Sequence, residues 1–300
     1  MAFLTAYHTD VGTKKKTNQD GLLLKTAATP FGQVGLFVVC DGMGGLSHGE
    51  LASAAVIRGL SHWFDNNLPE LLRDQLEKQT ETGSLSGLAA VIQTEVEAAI
   101  KLLNEKILQY GERTNVKLGT TVTALFILND TYIIAHIGDS RAYCLGQREA
   151  QDSSEETQLL QQIQPEAAEQ PLETPAVLTA EKPKFAITQL TTDQTLVARE
   201  VARGNMTLEQ AERDPRRNVL LQCVGATNEI EIEFHCGEIL ENSVFVLCSD
   251  GFYHQISDDE LEVHFSKKDL DLKETIVELV ELVKSRGEVD NISVMAVRIS

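Results

Sequence analysis

Four segments of this chain are apolar almost without interruption: VGLFVVC from Val34, VTALFIL from Val122, VFVLC from Val244 and ISVMAV from Ile292. Runs of this length, rich in Val, Phe, Leu and Ile, read as buried strands, and they commit the chain to a core built on sheets. Three of them meet an aspartate at one end. Asp41 follows the first and opens Asp-Gly-Met-Gly-Gly, Asp250-Gly251 follows the third, and Asp290-Asn291 precedes the fourth. A carboxylate at the tip of a buried strand is costly to desolvate unless something pairs with it, and a divalent metal is the usual partner. Glycines beside Asp41 and Asp250 let backbone carbonyls and a substrate come close.

Two more aspartates stand where strand-forming sequence meets a turn. Asp20 lies in Asn18-Gln19-Asp20-Gly21 before LLLK, and Asp139 lies in Ile137-Gly138-Asp139-Ser140-Arg141. Any one aspartate beside glycine is a turn residue first, because Asp bonds its own backbone readily. Five arranged this way are harder to explain as turns alone. All-oxygen ligation points to a hard cation, and Mg²⁺ or Mn²⁺ held by a few carboxylates keeps waters available for chemistry. Two such ions can share a water and bring its pKa from about 15.7 towards 7, making an attacking hydroxide without any serine, cysteine or histidine nucleophile.

Charge narrows the partners. With 26 Lys and Arg against 45 Asp and Glu, the net charge is −19, which argues against binding a phosphate backbone and so against nucleic acid. Five cysteines without CxxC spacing read as reduced core thiols, neither a disulfide frame nor a zinc site. MAFLTAYHTDVG is not a signal peptide, and no run reaches the ~18 apolar residues of a membrane span, so a soluble, cytoplasmic protein with no membrane partner is expected.

Along the chain, strands are expected at 22–25, 34–40, 122–128, 132–137, 141–145, 185–190, 229–236, 244–248 and 292–299. Asn129-Asp130 forms a hairpin turn, and three hairpin-spaced strands from 122 to 145 argue for antiparallel sheet. Apolar residues at helical spacing predict helices over 48–66, 85–110 and 270–285, with a proline-containing acidic link between the first two. Short helical pieces broken at Gly204-Asn205 and Asp214-Pro215 fill 194–221. Residues 146–184, rich in Gln, Glu, Ala and Pro with almost no aromatics, read as an exposed insertion in an otherwise single domain spanning 1–300. His136 reads as a strand residue, not a ligand, and His8 and His48 as surface or cap residues. The pattern is mixed α+β.

These pieces in this order (TNQD, CDGMGG, LGTTVTALFI, AHIGDSRAY, QLTTDQT, DPRRNVLLQCVG, VLCSDGF and VDNISV) resemble the PPM family, the metal-dependent type 2C protein serine/threonine phosphatases, and most of all their compact bacterial members. The resemblance implies a four-layer α-β-β-α sandwich with two central antiparallel sheets and the metals at one end. It implies that Asp41 bridges two metals, that the Gly42 carbonyl and Asp20 serve the second, and that Asp250 and Asp290 complete the first. Asp139, with Asp250, matches a weaker third site, and Asn291 matches a residue that orients the last turn. Residues 203–217 fall where the family has a flap that helps choose substrates. Phosphorylated proteins are the implied substrates, with a Ser/Thr kinase as the opposing enzyme, and a monomer is the default.

Three positions depart from the family pattern. Gln19 stands where many members carry glutamate, although similar bacterial proteins also have Gln there. Lys15, within Lys14-Lys15-Lys16, stands where an arginine usually grips the substrate phosphate; it supplies charge but not a two-pronged contact, and a solvated lysine turn is the plainer reading. Asp214 stands where many relatives have histidine. Gln19 and Lys15 are the sequence support for a competing reading, a pseudophosphatase that binds phosphoproteins with little turnover. Hydrolysis of a small phosphoester is a third reading.

Overall fold

Each apolar run becomes a strand whose alternate residues enter two different cores. In the computed structural model, which describes residues 2–43, 48–82, 87–147, 185–267 and 269–300, β3 (Gly32–Cys40) sends Val34, Leu36, Val38 and Cys40 to one side and Phe37 and Val39 to the other. β4 (Val122–Leu128), β9 (Val244–Cys248) and β10 (Ile292–Ile299) divide in the same way. A strand buried on both faces needs no polar face, which is why these runs are uninterrupted.

Among the described residues, ten strands form two five-stranded sheets, all paired antiparallel. One has the order β1 (Phe3–Asp10), β10, β9, β6 (Arg141–Gln147), β7 (Phe185–Gln189); the other runs β2 (Gly21–Thr29), β3, β4, β5 (Thr131–Ile137), β8 (Glu233–Glu238). Phe37, Leu125, Ile127, Phe245, Leu247, Met295 and Val297 fill the space between them. Three helices cover the second sheet: α1 (Gly49–His62), α2 (Leu68–Thr82) and α3 (Leu88–Thr114). Further along the chain, α6 (Asp250–Tyr253), α7 (Asp258–Phe265) and α8 (Leu272–Ser285) cover the first. Three apolar layers between four structural layers make the expected α-β-β-α sandwich.

Several local expectations are corrected. The acidic link at 67–84 is largely helix: α1 runs into α2 through a π-helical turn at Trp63–Asn67, where the Leu68 N–H reaches the Trp63 carbonyl. Pro69 has no N–H for a carbonyl four residues back, and the wide turn carries the ladder past it. The N-terminal segment is strand β1, held along its length by β10 in the register Phe3↔Ile299 to Asp10↔Ile292. β8 begins at Glu233, not 229, and α3 runs from Leu88 to Thr114. β4 and β5 form the predicted hairpin, with Asn129 left-handed at φ 51°. β6, however, leaves that hairpin for the other sheet. Cys40, Cys223 and Cys248 are buried and all five thiols are free, but Cys236 is exposed on edge strand β8. Of the insertion, residues 148–184 lie outside the described residues.

Candidate active site

The five aspartates, scattered over 271 positions of sequence, gather at one end of the sandwich because each sits where a strand starts or stops. Asp41 follows β3. Its N–H donates to Thr121 Oγ1 at 2.8 Å, and its carbonyl accepts from Thr120 Oγ1 and the Thr121 N–H, both at 2.9 Å. Gly42 next donates its N–H to the Gln19 carbonyl at 3.2 Å. A β-carbon there would come within 2.5 Å of the Gln19 and Gly49 carbonyl oxygens, so only glycine fits.

Asp250 opens α6 directly after β9 and is 7 % exposed. Asp41 and Asp250 lie close enough for the charge of Asp250 to act on the Asp41 carboxyl. Asp20 precedes β2, and its Oδ2 accepts from Ser249 Oγ at 3.0 Å. Asp139 sits in the turn between β5 and β6, 7 % exposed, and its carbonyl accepts from the Tyr253 hydroxyl at 3.0 Å. Asp290 precedes β10 and pairs with Lys15 at 2.8 Å.

Electrostatics follow from this crowding. Burial, then the charges of Asp20, Asp250 and Asp139, push the Asp41 carboxyl well above the ordinary range. Burial pushes Asp20 up to about 7, opposed by Ser293 and Ser249 and helped by Asp250 and Asp290. Asp139 and Asp250 are raised mainly by burial. Burial works against the Lys15 ammonium, but its bond to Asp290 and the charges of Asp41 and Asp250 raise its pKa above the usual lysine value. Such a cluster favours a cation.

The donor set suits a hard one. Oδ1 of Asp20 and Oδ1 of Asp250 are shut off from solvent without a hydrogen-bond partner, a costly condition that a cation relieves. Among the described residues no three acidic, histidine or cysteine side chains are already drawn into a ligand cage; Lys15, Ser249 and the carboxylates themselves share the cluster.

Asn291 does more than shape its own turn. Its Nδ2 donates to the carbonyls of Val11 (2.9 Å) and Thr17 (3.1 Å), and its Oδ1 accepts from the Gln19 N–H (2.9 Å). The loop bearing Lys15 is thereby fastened to the turn bearing Asp290, and Thr13 Oγ1 adds a bond to the Glu288 carbonyl at 2.6 Å. Gln19 turns its amide nitrogen to Glu50 Oε2 at 2.9 Å. His136 is a buried strand residue, as read from sequence, bonded to Thr123 Oγ1 at 2.9 Å. His48 precedes α1 but makes no side-chain cap.

Sequence reasoning missed residues that brace the turns carrying the aspartates. Arg141 grips Asp193 with two prongs at 2.9 and 2.7 Å and lies 3.7 Å above the Tyr253 ring. Glu288, 6 % exposed, accepts the N–H groups of Val289 and Asp290. Arg141 and Asp193 both lie in motifs already quoted, but no local spacing shows that residues 52 positions apart are partners.

Two short helices follow: α4 (Leu196–Ala202) ends just before the stretch 203–217 expected to form a flap, and α5 (Leu208–Arg213) lies within it. Thr195 caps the first and Thr207 caps the second with a full capping box. Asp214 bonds Arg216 through both carboxylate oxygens (3.0 and 2.8 Å), which holds its carboxyl down at about 2.

Known proteins share this architecture and sequence. The family model described as Protein phosphatase 2C matches residues 12–290. The protein phosphatase PhpP of Streptococcus pneumoniae is 27 % identical over 291 residues, covering 96 % of this chain and 94 % of that protein. The serine/threonine phosphatase PstP/Ppp of Mycobacterium tuberculosis superposes with a TM-score of 0.70 at 25 % identity, covering 100 % of both chains. A structure of the PstP catalytic domain in complex with two manganese ions aligns with a TM-score of 0.68 at 24 % identity, over 99 % of this chain and 97 % of that one. The chain belongs to the protein phosphatase 2C family, metal-dependent enzymes that remove phosphate from serine and threonine in proteins.

Proposed function

We propose that the aspartate cluster is the metal-dependent centre of this phosphatase and that its residues divide the work. Asp41 would serve both of two ions, Asp250 and Asp290 would help hold one, and Asp20 with the Gly42 carbonyl would help hold the other. Asp139, with Asp250, serves a weaker third. The buried, unpartnered Oδ1 atoms of Asp20 and Asp250 carry this reading. When bound, Mg²⁺ or Mn²⁺ ions supply a water acidic enough to attack phosphorus near neutral pH.

The chain's own residues do the rest. Thr120 and Thr121 fix the Asp41 backbone, Ser249 orients Asp20, and Glu288 holds the main chain entering Asp290. Lys15, half-buried beside the cluster, offers its ammonium to the substrate phosphate. Residues 203–217 form the flap against which the phosphoprotein lies. Substrates are serine- and threonine-phosphorylated proteins within a kinase pathway, acted on by a cytoplasmic monomer. Among the described residues no helix is long and apolar enough to cross a membrane.

The test is p-nitrophenyl phosphate hydrolysis by wild type with Mn²⁺, wild type with chelator, and Asp41→Asn with Mn²⁺, alongside calorimetric counting of bound Mn²⁺. Turnover that needs metal and is lost in Asp41→Asn, with at least two ions bound by wild type, is expected. Full activity in chelator, or unimpaired turnover by Asp41→Asn, would overturn the assignment.

A further inference from the structure

The excursion from Leu196 to Asn218 is a self-contained piece. Arg199 and Arg203 pair with Glu200, Arg213 with Glu209 and Arg216 with Asp214, while Arg217 donates to the Glu212 carbonyl. Among the described residues, every one of these polar side-chain contacts stays inside the excursion. The polar ties from the piece to the rest of the fold lie at its root.

At the root the two stems are laced together. Thr195 and Leu220 form an antiparallel bridge, and the Leu196 N–H donates to the Val219 carbonyl at 2.8 Å. The Leu221 N–H donates to the Gln194 carbonyl at 2.8 Å. Gln194 then reaches across to the turn ahead of Asp139: its N–H donates to the Gly138 carbonyl at 2.8 Å, and its Oε1 accepts the Gly138 N–H at 2.9 Å. The same Oε1 accepts from Gln222 Nε2 at 2.9 Å, and Gln222 is itself bracketed to the main chain of Glu231 at 2.7 and 2.9 Å. One side chain thus joins the entering stem, the leaving stem and the turn that carries an aspartate of the cluster. Asp193, next to it, anchors Arg141. Leu208, 72 % exposed, rides on the piece so fixed, and Val219, 48 % exposed, stands on its leaving stem.

We propose that Gln194 is a positioning residue that fixes the 196–218 excursion to the Gly138–Asp139 turn, so that the excursion meets a phosphopeptide at a set distance from the aspartate cluster. The inference rests on the reading of 203–217 as a substrate-side flap. Its consequence is selective: a peptide long enough to touch both flap and cluster depends on the tie, whereas a small aryl phosphate touches the cluster alone.

Gln194→Met removes the acceptor of both bonds at similar side-chain size. Gln222→Met loosens the leaving stem without touching Gly138, and it serves if the first variant folds poorly. Two readouts are taken on the intact chain: the rate of tryptic cleavage after the arginines at 203–217, followed by mass spectrometry, and KM and kcat on a phosphothreonine peptide and on p-nitrophenyl phosphate. Nicking about fivefold faster in both variants, with peptide KM raised about fivefold, is expected, the scale of one lost hydrogen bond. For Gln222→Met, kcat and KM on p-nitrophenyl phosphate stay at wild-type values. Unchanged nicking would overturn the tie itself. Faster nicking with unchanged peptide KM would leave the tie standing but overturn its role in substrate positioning, and with it the flap reading.

Discussion

Lys15 and His136 show how one side chain is defined by what surrounds it. The Lys15 ammonium lies 2.8 Å from Asp290 on a loop that Asn291 fastens to the same turn, so its charge is delivered to the cluster and is not left in solvent. An ammonium offers a point charge where a guanidinium would offer two parallel bonds. Lys15→Arg is accordingly expected to lower KM for phosphopeptides severalfold with kcat little changed, as steady-state kinetics would register; an unchanged or higher KM would remove Lys15 from phosphate binding.

His136 is buried between Thr123 and the Thr192 carbonyl, and burial holds its pKa below the ordinary histidine value. Below about 6.5 the unfolded chain takes up a proton that the folded chain refuses. Its contribution to stability is therefore full above that pH, declines as pH falls through it, and levels off below the folded-state pKa. Urea denaturation of wild type and His136→Gln at pH values from about 7.5 to about 5 should show the variant losing less stability on acidification. Parallel profiles would mean that His136 is not held neutral.

At the scale of elements, the turn between α8 and β10 acts as a clasp for the first loop. Asn291, 4 % exposed, directs all three of its bonds to residues more than 270 positions away. Truncating it leaves the Val11 and Thr17 carbonyls and the Gln19 N–H without this partner, a loss on the order of 2–3 kcal/mol. Asn291→Ala should show that loss in urea denaturation and should also bind Mn²⁺ more weakly in calorimetry, since Asp20 and Asp290 flank the clasp. Destabilisation with unaltered Mn²⁺ affinity would confine Asn291 to a structural part.

The strands were legible in the sequence because burial on both faces leaves a continuous apolar signature, and the aspartates were legible because they interrupt it. α2 was hidden by Pro69 and by an acidic composition that suits an exposed helix as well as a linker. β1 was hidden because it is an edge strand with Leu4 and Tyr7 facing solvent, made regular by a partner at the far end of the sequence. The grip of Arg141 on Asp193 and the knot at Gln194 were not legible, since both depend on tertiary pairing that no local spacing records.

For the molecule as a whole, charge sets the terms of encounter. A net charge of −19 repels acidic substrates at long range, and added salt screens that repulsion over a Debye length of about 10 Å at 0.1 M. Matched phosphopeptides with basic and with acidic flanks should differ in kcat/KM at low ionic strength, the basic one being favoured, and the gap should narrow at about 0.5 M salt. A gap indifferent to salt would place the selectivity in direct contacts instead.

The late place of β10 in the chain sets when activity can begin. Asp290 precedes that strand, which joins β1 on one side and β9 on the other, so the cluster lacks its fifth aspartate until β10 is in place. During synthesis, a ribosome-bound chain still lacking residues 290–299 has β1 without its neighbour and four aspartates without the fifth. With the roles proposed for these aspartates, such a nascent chain has no complete centre with which to act on phosphoproteins around the translating ribosome; catalysis waits until β10 has emerged and joined its neighbours.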